Sequence, residues 1–142
     1  IGGGMNHRIG LFDMILLKDN HVDFAGGITE ALTRAKNYCE EKGKDLRIEI
    51  ETRSEDEIRE ALATNIPDRI MLDNFNPERT KSAVEIIRAW EKENGKHIEI
   101  ESSGGITIDT LHDYAVTGVD FVSVGALTHS VKSLDMSFKA LK

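Results

Sequence analysis

Five places in the chain put reactive or ligand-binding residues directly after a run of β-forming residues. They are Lys18, Asp19, Asn20 and His21; then Glu51; then Asp73 and Asn74; then Ser102, Ser103, Gly104 and Gly105; and last Gly125 and Ala126. The oxygens of Glu51 and Asp73 suit a hard cation such as Mg2+, which keeps several waters and is bound through one or two carboxylates plus substrate phosphates. The same acids could stabilise positive charge growing on a reacting carbon, or simply accept hydrogen bonds from a neighbouring loop. The glycine turns, SSGG at 102–105 and VGALTHS at 124–130, each precede a helical pattern. Glycine lets backbone N–H groups approach a ligand closely, and a helix start favours an anion; the alternative is a tight turn with no ligand.

His7, Arg8 and Lys18 are the local cations. An arginine with a lysine can hold a dicarboxylate through charge-assisted hydrogen bonds, whereas Lys18 could instead neutralise Glu49 or Glu51. Lys18 is the one cation expected at a strand end. His21 reads as structural, and His97 and His112 as ordinary helix or strand positions. No His/Cys spacing resembles a zinc site, and no nucleophile has an adjacent base.

These residues need a frame, and the pattern around them supplies one in five repeats of strand then helix. Leu11 to Lys18 reads as a strand, after which Ile28, Ala31, Leu32, Ala35 and Cys39 fall on one helical face. Leu46 to Thr52 precedes a helix opened by Ser54 with Glu57 three residues on, a capping box, whose apolar stripe is Ile58, Ala61 and Leu62. Arg69 to Asp73 precedes a helix with Asn76 as N-cap and Pro77 at its first position, and Ala83, Ile86, Ile87 and Trp90 face its core. His97 to Ser102 is followed by a helix after Thr107, and Asp120 to Val124 by a helical turn from Ala126 to Ser130.

Such alternation predicts a parallel sheet covered by helices. In LRIEIET and HIEIES the isoleucines take one face and Glu49, Glu51, Glu99 and Glu101 the other. A doubly wound sheet would bury those carboxylates under helices, at several kcal/mol each. A barrel has helices outside only, so Ile48, Ile50, Ile98 and Ile100 meet helices while the glutamates look into the barrel, within reach of cations or water. The expected fold is therefore a parallel (β/α) barrel of the TIM-like type, present in part, since five units are too few for the eight of a closed barrel.

At 142 residues, 39 % apolar and 30 % charged, the chain has the size and composition of one globular domain. The single Cys39 cannot build a disulfide framework. A net charge of -7 argues against a nucleic-acid surface, no apolar run approaches the ~18 residues that span a bilayer, and a cytoplasmic location is expected. The chain opens at Ile1 inside a glycine run, so the whole of 1–142 is expected to be the C-terminal part of a catalytic barrel domain, with an N-terminal domain and the first barrel strands outside it.

The motifs resemble one family, the quinolinate phosphoribosyltransferases. GGGMNHRIGLFDMILLKDNHV at 2–22, IMLDNF at 70–75, ESSGGI at 101–106 and GVDFVSVGALTHSV at 118–131 are similar to its motifs in the same order, over almost the whole chain. The resemblance implies transfer of the phosphoribosyl group of phosphoribosyl pyrophosphate to the ring nitrogen of quinolinate, with loss of pyrophosphate and carbon dioxide to give nicotinate mononucleotide for NAD biosynthesis. It implies that His7, Arg8 and Lys18 bind the quinolinate carboxylates. Glu51 and Asp73 would lie near the ribose and hold magnesium pyrophosphate directly or through water, and Lys18, Glu51 and Asp73 would be the catalytic groups. Ser103, Gly104, Gly105, Gly125, Ala126 and His129 would cradle the 5′-phosphate. It further implies a homo-oligomer, a dimer or higher, with neither nucleic acid nor membrane as partner. The family's Arg- and Lys-bearing segment ahead of the glycine run, and the N-terminal domain that completes the other subunit's site, are not in this sequence, so little activity is expected of these residues alone. A paralogous barrel with another acceptor, such as the molybdenum-operon relative, or a non-catalytic phosphate-binding module, are the competing expectations.

Overall fold

Five short aliphatic runs form strands in the computed structural model, which describes residues 3–10, 12–129 and 133–140. They are β1 (Met14–Leu17), β2 (Arg47–Thr52), β3 (Arg69–Asp73), β4 (Glu99–Ser103) and β5 (Phe121–Val122). All pair in parallel and in chain order, an arrangement that requires a crossover between each strand and the next. The crossovers carry α1 (Asp19–Ala25) and α2 (Ile28–Lys42), then α3 (Glu55–Ala63), α4 (Pro77–Asn94) and α5 (Leu111–Ala115), and α6 (Ala126–His129) follows β5. No helix among the described residues is long and apolar enough to cross a membrane.

The helix boundaries follow from local chemistry. Ser54 Oγ accepts from Glu57 N–H at 3.2 Å, and Glu57 Oε2 in turn accepts from Arg53 N–H at 2.6 Å, one residue ahead of the donor a capping box normally uses. Asn76 Oδ1 accepts from Arg79 N–H at 2.9 Å, with Pro77 at the first helical position. Helices α2 and α4 stop at Gly43 and Gly95, which take left-handed φ values of 58° and 70°.

Which face is covered distinguishes a barrel from a two-sided sheet. Ile48, Ile50, Ile70, Leu72, Ile98 and Ile100 form one buried cluster with Leu32 of α2, Ile58 and Leu62 of α3, and Ala83, Val84 and Ile87 of α4. The alternate residues form rows across the other face, Leu16–Glu49–Arg69–Glu99 and Glu51–Met71–Glu101–Phe121, and none belongs to that cluster. Helices on one face and a charged row on the other are the arrangement of a partial barrel.

Several boundaries differ from those read from sequence. The first strand begins at Met14, because Phe12 and Asp13 form a turn in which Asp13 Oδ2 accepts from Ile9 N–H at 2.8 Å; Leu11 lies outside the described residues. Lys18 is the N-cap of α1 rather than a strand residue. The fourth strand begins at Glu99, not His97, whose exposed ring pairs with Glu91 at 2.9 Å. The fifth strand is only Phe121–Val122, since the Asp120 carboxylate is occupied by Arg88 and by Ile100 N–H, both at 2.8 Å. The last helical turn is described as far as His129, and Ser130 lies beyond the described residues.

Candidate active site

The C-terminal ends of the strands gather Lys18, Glu51, Asp73, Ser103 and Gly104 along one edge of the sheet. Asp73 stands beside Ser103 in register. Glu51, the neighbour of Met71, has its carboxyl pushed above the ordinary range by burial first, then by the negative charges of Asp73 and Asp19, with Lys18 and Arg53 opposing. Three acids and one lysine therefore share a field at this edge. Asp19 belongs to the group and was given no role from sequence.

The turns after β3 and β4 are locked together. Asn74 adopts φ 55°, a conformation that Asn tolerates better than most residues. Its backbone N–H donates to Ser103 O at 2.9 Å and its side-chain amide donates to Asp73 Oδ2 at 2.7 Å. Gly104, at φ 96°, lies so close that a Cβ there would come within 2.8 Å of Asn74 N. Gly105, at φ 65°, has open space where its Cβ would be, which lets a ligand approach its amide. At the next turn His129 N–H donates to Gly125 O at 3.1 Å, and a Cβ on Gly125 would meet the His129 ring at 3.2 Å. Gly125, Ala126 and His129 thus form one compact turn beyond β5. Ser102, in register with Leu72 and Val122, faces the helices instead.

Deeper on the inner face the glutamates do meet cations, in a charge network that is more buried than the strand pattern alone indicates. Glu49 is 0 % exposed and Glu101 1 %. The cation that meets them is Arg69 of β3, not Lys18. Arg69 Nη1 donates to Glu101 Oε2 at 3.2 Å and lies 3.9 Å from Glu49 Oε2, while its Nε and Nη2 grip Glu99 at 2.9 and 2.7 Å. Arg47 reaches the same Glu99 oxygen at 2.7 Å. Ser123 Oγ donates to Glu101 Oε1 at 2.6 Å. His7 Nε2 approaches Glu49 Oε2 at 3.0 Å and Glu101 Oε2 at 3.2 Å. Burial, then the charge of Glu101, push the Glu49 carboxyl up to about 8, although Arg69 and Arg8 pull it down. Burial acts against the Glu99 carboxylate, but hydrogen bonds from Arg47 and Arg69 hold its carboxyl below the usual range.

The site residues named from sequence therefore occupy two levels. Lys18, Glu51, Asp73 and Ser103–Gly105 line the edge, whereas His7 reaches the buried acid pair, and Arg8 Nη1 donates to Met14 O at 3.5 Å. Sequence reasoning missed Arg69, because RIMLD reads as a plain strand until its register against β4 is known. It also missed Arg53, a second cation one residue past β2. Its guanidinium is spent on Glu57 at 2.9 Å and Asp23 at 3.2 Å, which leaves Lys18 as the less engaged of the two.

Comparisons with known proteins bear on the family and the fold. The family model described as quinolinate phosphoribosyl transferase, C-terminal domain, matches residues 1–139. The chain is 44 % identical over 154 residues to the chloroplastic nicotinate-nucleotide pyrophosphorylase (carboxylating) of Arabidopsis thaliana, covering 98 % of this chain and 42 % of that protein. It is 46 % identical over 142 residues to a probable nicotinate-nucleotide pyrophosphorylase (carboxylating) of Methanocaldococcus jannaschii, covering 100 % of this chain and 48 % of the relative. The solved structure of the nicotinate-nucleotide pyrophosphorylase from Francisella tularensis superposes with a TM-score of 0.82 at 44 % identity, covering 96 % of this chain and 44 % of that one. The chain thus spans less than half the length of these relatives. With the family model matched nearly end to end and the partial barrel shared, the chain belongs to the quinolinate phosphoribosyl transferase family, as its C-terminal domain.

Proposed function

We propose that these five βα units carry phosphoribosyl transfer from phosphoribosyl pyrophosphate to quinolinate, within a barrel whose remaining strands lie outside them. The quinolinate ring nitrogen attacks the anomeric carbon, the bond to pyrophosphate breaks with its electron pair leaving on pyrophosphate, and the 2-carboxylate departs as carbon dioxide, its bonding electrons passing to the ring carbon that is then protonated. The observation that carries the reading is the convergence of Lys18, Glu51 and Asp73 with the Ser103–Gly105 turn on one edge of the sheet.

Each residue has a role that follows from its chemistry. Lys18 meets a quinolinate carboxylate as a charge-assisted donor, and Arg8 and His7 are the further cationic donors assigned to that substrate. The carboxylates of Glu51 and Asp73 stabilise positive charge that builds on the anomeric carbon as pyrophosphate leaves. Ser103, Gly104 and Gly105, with Gly125 and Ala126, present amides to the 5′-phosphate, and His129 completes the cradle from the turn that its own N–H closes on Gly125 O. The donor set at Glu51 and Asp73 is oxygen alone and its acids repel one another, which fits Mg2+; bound there, the ion would neutralise the pyrophosphate charge.

Mass analysis of products from quinolinate, phosphoribosyl pyrophosphate and magnesium, using protein that carries this chain, tests the proposal. Nicotinate mononucleotide, pyrophosphate and carbon dioxide in equal amounts are expected. Transfer to a different acceptor, with quinolinate left intact, would overturn it.

A further inference from the structure

We propose that His7, Glu49 and Glu101 form a second cation site, selective for a divalent transition-metal ion of the Zn2+ type and separate from the acids at the strand ends. The three ligand atoms lie within 4.8 Å of one another. His7 Nε2 stands 3.0 Å from Glu49 Oε2 and 3.2 Å from Glu101 Oε2. Tetrahedral ligands bonded at about 2.0–2.1 Å sit about 3.3–3.4 Å apart, so a small movement of the ring admits the ion between them.

An independent feature points to the same spot. The Glu49 side chain is fully buried, and among the described residues neither of its carboxyl oxygens has a well-aligned hydrogen-bond donor; its near polar neighbours are the other two members of the cluster, His7 Nε2 at 3.0 Å and the Glu101 carboxyl. A buried carboxylate in that condition is costly unless a cation or a proton meets it. The arginines do not fully serve. Arg47 and Arg69 both converge on Glu99 at 2.7 Å, and only Arg69 Nη1 is left to reach Glu101 at 3.2 Å and Glu49 at 3.9 Å. Glu101 is meanwhile fixed from behind by Ser123 Oγ on its other oxygen at 2.6 Å. Outer hydrogen bonds of this kind orient metal ligands.

The donor set decides which ion fits. One imidazole nitrogen with two carboxylates favours Zn2+ and its first-row neighbours, whereas Mg2+ prefers oxygen and water. His7 is 27 % exposed, so an ion can enter from its side and keep a water as fourth ligand. The site left no trace in sequence spacing, since its ligands sit at positions 7, 49 and 101 and meet only through the register of β2 with β3 and β4. If the proposed transfer is right, the ion takes up the imidazole that would otherwise meet quinolinate, and so competes with that substrate; this consequence rests on the transfer reading, while the site does not.

The test is calorimetric titration of Zn2+ into metal-stripped protein, with Co2+ as a visible-absorption probe of a tetrahedral nitrogen–oxygen site. One equivalent is expected, unaffected by an equal concentration of Mg2+. His7→Ala and Glu49→Gln should each weaken it more than about 100-fold, given that outer partners alone are worth about 10- to 100-fold. Ser123→Ala should weaken it about tenfold, and His97→Ala, which removes the exposed imidazole beside Glu91, should leave it unchanged. Far-ultraviolet circular dichroism checks that each variant folds; should Glu49→Gln fail, His7→Ala, whose ring is partly exposed, still decides the matter. Absence of saturable Zn2+ binding, displacement by Mg2+, or undiminished binding in His7→Ala would overturn the proposal. In protein that forms nicotinate mononucleotide, Zn2+ should raise KM for quinolinate without lowering kcat, and an unchanged KM would overturn the competition. Zn2+ bound by protein that forms no product would count against the transfer reading alone.

Discussion

Single side chains at the strand ends differ sharply in what their loss should do. Lys18 is exposed, so replacing it with Ala removes a charge-assisted hydrogen bond rather than one half of a buried pair. Quinolinate affinity should fall by about 1.5–3 kcal/mol, measurable by titration calorimetry, and an unchanged dissociation constant would remove the role proposed for it. Arg69 is the opposite case. Arg69→Met leaves Glu49 and Glu101 without their buried guanidinium and should cost about 3–5 kcal/mol of stability, read from urea midpoints. The double variant with Glu49→Gln should recover part of that loss, because the two residues share one network. The acids at 51 and 73 were legible from sequence, because strand faces alternate and the last inward carboxylate of a strand falls at its end. The depth of Glu49 and Glu101 was not, because burial on the inner face depends on Arg69 and His7 arriving from other segments.

Among the elements, those with long apolar stripes carry the frame. Ile100 is fully buried between β4 and the helices, so Ile100→Ala should cost about 2–5 kcal/mol. Asn76→Ala removes the acceptor for Arg79 N–H and should cost about 0.5–2 kcal/mol; thermal denaturation ranks the two. Helices α2, α3 and α4 could be read from sequence, since each presents a buried stripe and the last two an N-cap. Helix α1 could not. It buries only Val22, which gives no periodicity to find, and it is held by Lys18 N–H donating to His21 Nδ1 at 3.0 Å and by Gly26 at φ 101°. Strand β5 was overextended because Asp120 looks like strand sequence yet spends its carboxylate on Arg88 and Ile100.

For the molecule as a whole, the one-sided helical cover was readable because glutamates alternating with isoleucines cannot sit beneath helices on both faces. The sheet has β3 at its centre, with β1 and β5 at its two edges among the described residues. Hydrogen exchange of this chain should therefore be slowest in β3 and fastest in β1 and β5; uniform protection across the five strands would show that the edges are covered. The interlocked turns at Asn74 and Gly104 carry a further consequence. Gly104→Ala would press a methyl group against Asn74 at a φ of 96°, and it should destabilise the fold by more than roughly 1 kcal/mol, where a replacement at a compatible φ would stabilise it. With that clamp intact, the carboxylate of Asp73 and the amides past Ser103 keep a constant separation. The pair works as a caliper: under the proposed function, a ligand that brings positive charge to the Asp73 jaw and an anionic group to the amide jaw is selected by its length before its chemistry is tested.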